Sequence, residues 1–122
     1  MRYVGLMSSP SVQPTFEIRE YRRVPVHCPV YFYHGYQYGE GTAWNLSCGG
    51  CRLDSEVPLV AGAILKVFVM IPEMPCRMMV EQAIVRWSRG QEVGLAIRLI
   101  YRADAIRLLH FVAKSLTPRA TY

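Results

Sequence analysis

The chain has 122 residues, a length that suits one compact domain burying roughly two-thirds of its unfolded surface. Hydrophobic residues make up 52% of it and charged residues 19%, a balance that excludes a disordered polar chain and fits an ordinary globular class. The net charge is +5, and all fourteen basic residues except Lys66 and Lys114 are arginines; the planar arginine fork binds phosphate bidentately and stacks on bases, so an anionic planar ligand suits this chain, although such an excess is also what a solvated surface carries.

Residues 1–15 mix Ser, Pro and Gln without periodicity, so 1–18 is expected to be a flexible N-terminal segment, with the domain over 19–116 and a short tail over 117–122. One arginine and no sustained apolar run near the start do not make a secretory signal. From Val24 onward the texture changes. The stretches Val26 to Tyr33, Gln37 to Trp44, Gly50 to Leu53, Ile64 to Ile71, Met78 to Trp87 and Val93 to Ile100 are short and rich in Val, Ile, Tyr and Phe, and they predict six strands. Turn residues separate them at His34-Gly35, Ser47 to Gly50, Ala61-Gly62, Pro72 to Pro75 and Ser88 to Gln91, spacings that imply antiparallel pairing. The longest apolar stretch, 57–72, contains Lys66, Gly62 and two prolines and falls short of the ~20 residues a spanning helix needs, so no membrane insertion is expected and the cytoplasm is the default location. Only the segment 102–114 changes period. Ala105, Leu108, Leu109 and Val112 share a helical face there and Asp104 sits in the first turn, predicting one amphipathic helix. The fold class expected is therefore all-β: a six-stranded antiparallel barrel, closed to remove its edges, with a C-terminal helix over one end.

Two short motifs carry candidate chemistry. Arg19-Glu20-Tyr21-Arg22-Arg23 places three guanidiniums within five residues just before the first strand. In a helical or turn-like segment Arg19 and Arg23 project the same way and can embrace a phosphodiester or sandwich a base; a solvated basic linker before Pro25 is an equal reading of the same residues. The second motif, Asn45-Leu46-Ser47-Cys48-Gly49-Gly50, lies where the second strand gives way to the third. It offers a carboxamide, a hydroxyl and a glycine that permits positive φ or close approach of a flat ring, groups able to read a purine edge, though a hexapeptide of this composition is also an ordinary turn.

The combination, Arg19 to Arg23 followed across a hairpin by Asn45 to Gly50, resembles the PilZ family. The resemblance runs from about Ile18 to Leu99 and finds an echo in Ala83-Ile84-Val85-Arg86-Trp87 and Val93-Gly94-Leu95-Ala96-Ile97. It implies a bacterial second-messenger receptor for cyclic di-GMP, in which Arg19 and Arg23 hold phosphates and guanines while Asn45, Ser47 and Gly50 contact a guanine. Arginine can pair with guanine O6 and N7 or lie on the ring, and it offsets the charge of two phosphodiesters. Many family members carry aspartate where this chain has Asn45, which keeps an acceptor and loses a charge. Trp87 matches a tryptophan that some members place beside the nucleotide; it is equally a core residue on its own evidence. Arg22, inside the cluster, is a further candidate for a phosphate. Ile18 stands where the family tends to have arginine when two stacked ligands bind, so one cyclic di-GMP per chain is expected. With the Ser47 hydroxyl assigned to the ligand, Ser47→Ala is expected to weaken binding at little cost to the fold.

The implied role is a signalling receptor or adaptor whose ligand rearranges the N-terminal segment and the surface shown to a downstream protein. Two alternatives remain: a ligand-independent protein-interaction adaptor, and a general single-stranded nucleic-acid binder using Tyr31, Tyr33, Tyr36 and Tyr38, which more simply pack as cross-strand neighbours; DNA and RNA are not expected partners. Cys48 and Cys51 form a CxxC, but Cys28 and Cys76 stand apart from each other and from it, so neither a zinc site nor a redox pair is expected. No cofactor is expected. His27, His34 and His110 show no spacing with a nucleophile or carboxylate pair, so catalysis is not expected.

Overall fold

Along Val24–His34 the buried residues Val24, Cys28, Val30 and Phe32 alternate with exposed or half-buried ones, the period-two pattern of a strand with one face on a core. The same logic recurs through the chain. The computed structural model describes residues 22–72 and 77–116, in which six strands and one helix follow in order: β1 (Val24–His34), β2 (Gln37–Ser47), β3 (Gly50–Ser55), β4 (Ile64–Val69), β5 (Met78–Arg89), β6 (Glu92–Leu99) and α1 (Arg102–Leu116). The strands close into a barrel in the order β1-β2-β3-β6-β5-β4, every neighbouring pair antiparallel. Closure leaves no free edge. The predicted strands and helix all form, several of them extended by one to three residues at an end, while β4 stops two residues and β6 one residue short of the expected end.

Three hairpins are tight, the β2–β3 turn through Cys48 and Gly49 among them. Residues Gly35 and Tyr36 join β1 to β2, and Gly90 and Gln91 join β5 to β6; Gly90 has φ 63°, a conformation that costs glycine nothing and other residues a good deal. The barrel interior is apolar, with Phe32, Leu53, Leu65, Met78 and Val85 essentially inaccessible to water, each contributing on the order of 1.5–3 kcal/mol through burial. Helix α1 lays Leu108 and Val112 into this core, and it packs on β5, β1 and β2. Its predicted face needs one correction. Leu109 is 53% exposed, and the half-buried Phe111 joins Ala105 against the core instead, because the contact face is narrower than the apolar stripe in the sequence. Arg107 anchors the helix, donating to the carboxylate of Asp104 (2.7 Å) and to the carbonyl of Arg77 (3.1 Å).

Among the described residues five irregularities interrupt the ladders of the barrel wall. The β1/β2 register slips between Pro25 and Cys28, the β2/β3 register between Ala43 and Asn45, the β4/β5 register between Leu65 and Val67, and the β5/β6 register between Gln82 and Ala83 and again between Val85 and Trp87. Such bulges bend a strand and re-aim its side chains.

Candidate functional site

Arg23 immediately precedes β1, and the first pairings of that strand, Val24 with Leu46 and Pro25 with Asn45, set it beside the end of β2. There its guanidinium Nη1 donates to Asn45 Oδ1 at 3.2 Å. The same oxygen accepts from the backbone N–H of Arg52 at 3.1 Å, at the β2/β3 irregularity. Both partners are donors, so the carboxamide oxygen faces them and the amide nitrogen is left for other contacts. Asn45 thus joins three strands and tethers Arg23 without neutralising it.

Ser47 ends β2. Its hydroxyl donates to the Gly50 carbonyl (3.2 Å) and accepts from the backbone N–H groups of Gly49 (3.1 Å) and Gly50 (3.2 Å), which fills the hydrogen-bonding capacity of a hydroxyl. At 4% exposure Ser47 is buried. The hydroxyl thus closes the β2–β3 turn, in keeping with the ordinary-turn reading of this hexapeptide. Gly50 has a comparable reason for being small. It is not in the left-handed region; a Cβ on it would overlap the carbonyl oxygen of Leu95 on β6, so it admits close approach of β3 to β6, pairing Gly50 with Ala96.

Trp87 is not a core residue. It is 38% exposed, and its indole lies against Gly94 across the β5–β6 pair, where a Cβ would overlap the ring. The Arg89 guanidinium sits over the indole at 5.4 Å from the ring centroid, a cation–π contact. Arg23, Ser47, Gly49, Gly50, Arg86, Trp87 and Gly94 converge on one open recess of about 160 Å³, floored by Cys51, Leu95 and Ala96. Arg22 is exposed and Asn45 reaches the recess through Arg23 rather than lining it. Arg19 and Ile18 lie outside the described residues, as do 1–21 as a whole, 73–76 with Cys76, and 117–122. Arg86 carries no signal of its own in the sequence, where it stands only within the Ala83 to Trp87 segment of the family resemblance.

The three described cysteines are free thiols. Burial pushes the Cys51 thiol up to about 12, with the Arg23 charge acting in the opposite direction; burial also raises Cys28 and Cys48. Thiols held protonated are poor nucleophiles and poor metal ligands. Among the described residues no group of three or more His, Cys, Asp or Glu could hold a metal ion. Tyr31, Tyr33 and Tyr38 elsewhere on the barrel join an aromatic cluster, Tyr31 stacking on Phe68 (4.8 Å between centroids), Tyr33 and Tyr38 meeting at 5.5 Å, and Arg77 covering Phe68, while Tyr36 is fully exposed. Among the described residues no helix is long and apolar enough to cross a membrane.

A family model described as PilZ domain matches residues 17–114. No match was found among curated proteins. Among solved structures, the Bacillus subtilis inhibitor of motility (MotI/DgrA) superposes with a TM-score of 0.67 at 21% identity, covering 84% of this chain and 53% of that one, so the chain spans about half the length of that protein. The PilZ domain of CeSA from a cellulose-synthesizing bacterium gives a TM-score of 0.60 at 13% identity, over 76% of this chain and 96% of that one. At these identities the likeness concerns the fold.

Proposed function

The chain belongs to the PilZ domain family, and on that footing we propose that it is a cytoplasmic cyclic di-GMP receptor acting by binding rather than by catalysis. The observation that carries this reading is the convergence of Arg23, the Ser47–Gly50 turn and Trp87 on one recess. These groups come from three places in the sequence and share no role in the apolar core.

Arg23, tethered by a neutral carboxamide, keeps its full charge for a phosphate or for guanine O6 and N7. Asn45, its carbonyl oxygen taken by Arg23 and by the Arg52 N–H, has its amide N–H groups left as donors, in contrast to the acceptor role that its carbonyl would have played toward guanine. Ser47 and Gly50 serve the ligand by holding the turn. A guanine stacks on the outer face of Trp87 by displacing the Arg89 guanidinium, whose exposed cation–π contact is worth only ~0.5–1 kcal/mol against ~1–3 for a stacked base. The recess of about 160 Å³ is smaller than the ~300–1,000 Å³ of ordinary small-molecule pockets. It takes one base or phosphate, and the segment bearing Arg19 and Arg22 supplies the rest of the enclosure, at one cyclic di-GMP per chain. Drawing that segment onto the barrel changes the surface offered to a downstream protein, which is how binding is read out.

Calorimetry tests this. Cyclic di-GMP is expected to bind at one per chain and in preference to its linear and adenine analogues; no heat with cyclic di-GMP, or equal binding of all three, would remove the reading. Tyr31, Tyr33 and Tyr38, packed on each other and on Phe68, are poorly arranged as a stacking platform for single-stranded nucleic acid, and the exposed Tyr36 offers a single ring in a hairpin turn.

A further inference from the structure

We propose that Arg86 is an additional ligand-binding residue of the recess, outside both motifs, aimed there by the β5 bulge to take a phosphate oxygen of the nucleotide. Its role rests on the chain being a cyclic di-GMP receptor.

Strict alternation along β5 would send Arg86 and Trp87 to opposite faces of the barrel wall. Val85 points inward and is buried, so Arg86 points out and Trp87 should return to the core. It does not, because Val85 pairs with Leu95 and Trp87 with Gly94: two steps on β5 oppose one on β6, and Arg86 is the extra residue. The bulge leaves both side chains exposed and both lining the same recess. Adjacent residues sharing one face is what a bulge achieves and a regular strand cannot.

The electrostatics of the recess favour an anion. Among the described residues it is lined by two guanidiniums, Arg23 and Arg86, and by no carboxylate. Arg23 is held by a neutral group, and Arg86 has no ion pair or hydrogen bond among the described residues. By contrast Arg52 and Arg107 are each committed to a carboxylate. An arginine beside an aromatic platform matches a ligand in which a phosphodiester adjoins a base, the ring taken by Trp87 and the charge by the neighbouring guanidinium.

The test is calorimetry with cyclic di-GMP on the whole chain and on Arg86→Ala, Arg86→Lys and Lys66→Ala. Lys66, on β4 and paired with Glu81, lines a different hollow and controls for loss of one positive charge. Arg86→Ala is expected to keep its melting temperature, to bind roughly 10-fold or more weakly, and to show a flatter salt dependence. Arg86→Lys, which keeps the charge, should stay within about three-fold of wild type, and Lys66→Ala should match it. Wild-type binding with Arg86→Ala within about two-fold of it would overturn the proposal alone. Arg86→Lys as weak as Arg86→Ala would overturn the phosphate assignment in favour of a base edge, and an equal loss in Lys66→Ala would reduce the effect to net charge. No binding by the wild-type chain would remove the receptor reading, and this proposal with it.

Discussion

Ser47→Ala separates a turn-closing hydroxyl from a ligand-facing one. The hydroxyl makes three hydrogen bonds inside the β2–β3 turn, and removing it leaves the Gly49 and Gly50 N–H groups without that acceptor. Each backbone bond is worth ~1 kcal/mol net, and a buried donor left unpaired costs ~1–3 kcal/mol. Gly50 and Ser47 are buried while Gly49 is only partly so, and water can repair the Gly49 loss in part. The expected destabilisation is about 2 kcal/mol, a fall in melting temperature of about 8–10 °C for a domain of this size. The assay is thermal and urea denaturation of the ligand-free protein. A melting temperature within ~2 °C of wild type would refute the reasoning and return the hydroxyl to the ligand.

Arg23→Ala should cost at least ~1.5 kcal/mol of cyclic di-GMP affinity by calorimetry while leaving the melt nearly unchanged, since its hydrogen bond to the Asn45 carboxamide is exposed. Gly50→Ala should destabilise the fold by ~1–3 kcal/mol or more in denaturant, because the new Cβ overlaps the Leu95 carbonyl and β3 must part from β6. For Cys51, whose thiol burial pushes up to about 12 from 9.0, the native state keeps a proton that the unfolded chain loses. Its contribution is therefore whole below about pH 8.5 and declines as pH rises toward 12, by up to ~1.4 kcal/mol per unit. Stability measured from pH 7 to pH 10 should fall less steeply in Cys51→Ala; equal slopes would refute that assignment.

The strands were legible because β-branched and aromatic runs bounded by His34-Gly35, Ala61-Gly62 and Ser88 to Gln91 leave few other structures open. The two motifs were legible as residue types at a spacing, and β1–β2 pairing explains why the spacing works: it brings Arg23 to Asn45. What could not be read was which atoms remain free. Ser47 and Asn45 look like ligand groups in a sequence, yet Ser47 Oγ and Asn45 Oδ1 are taken by neighbouring backbone and by Arg23. Gly50 answers to a contact with Leu95, far along the chain. The bulge at Arg86 breaks the alternation on which facing is inferred, and so hid the convergence of Arg86 on the recess, while for Trp87 it sets aside the core reading, one of the two that the sequence left equal. Leu109 shows the converse, an apolar residue on the right helical period that the barrel end is too narrow to cover.

The most direct test of the receptor account is a two-dimensional NMR titration of the isotope-labelled chain with cyclic di-GMP, following backbone amides and the indole N–H groups. The account predicts saturable shifts at Arg23, Gly49, Gly50, Arg86, Gly94 and the Trp87 indole, with Tyr33, Tyr38 and the Trp44 indole, which donates to Asp54, unmoved. Shifts centred on the tyrosine face, or none at millimolar ligand, would contradict it.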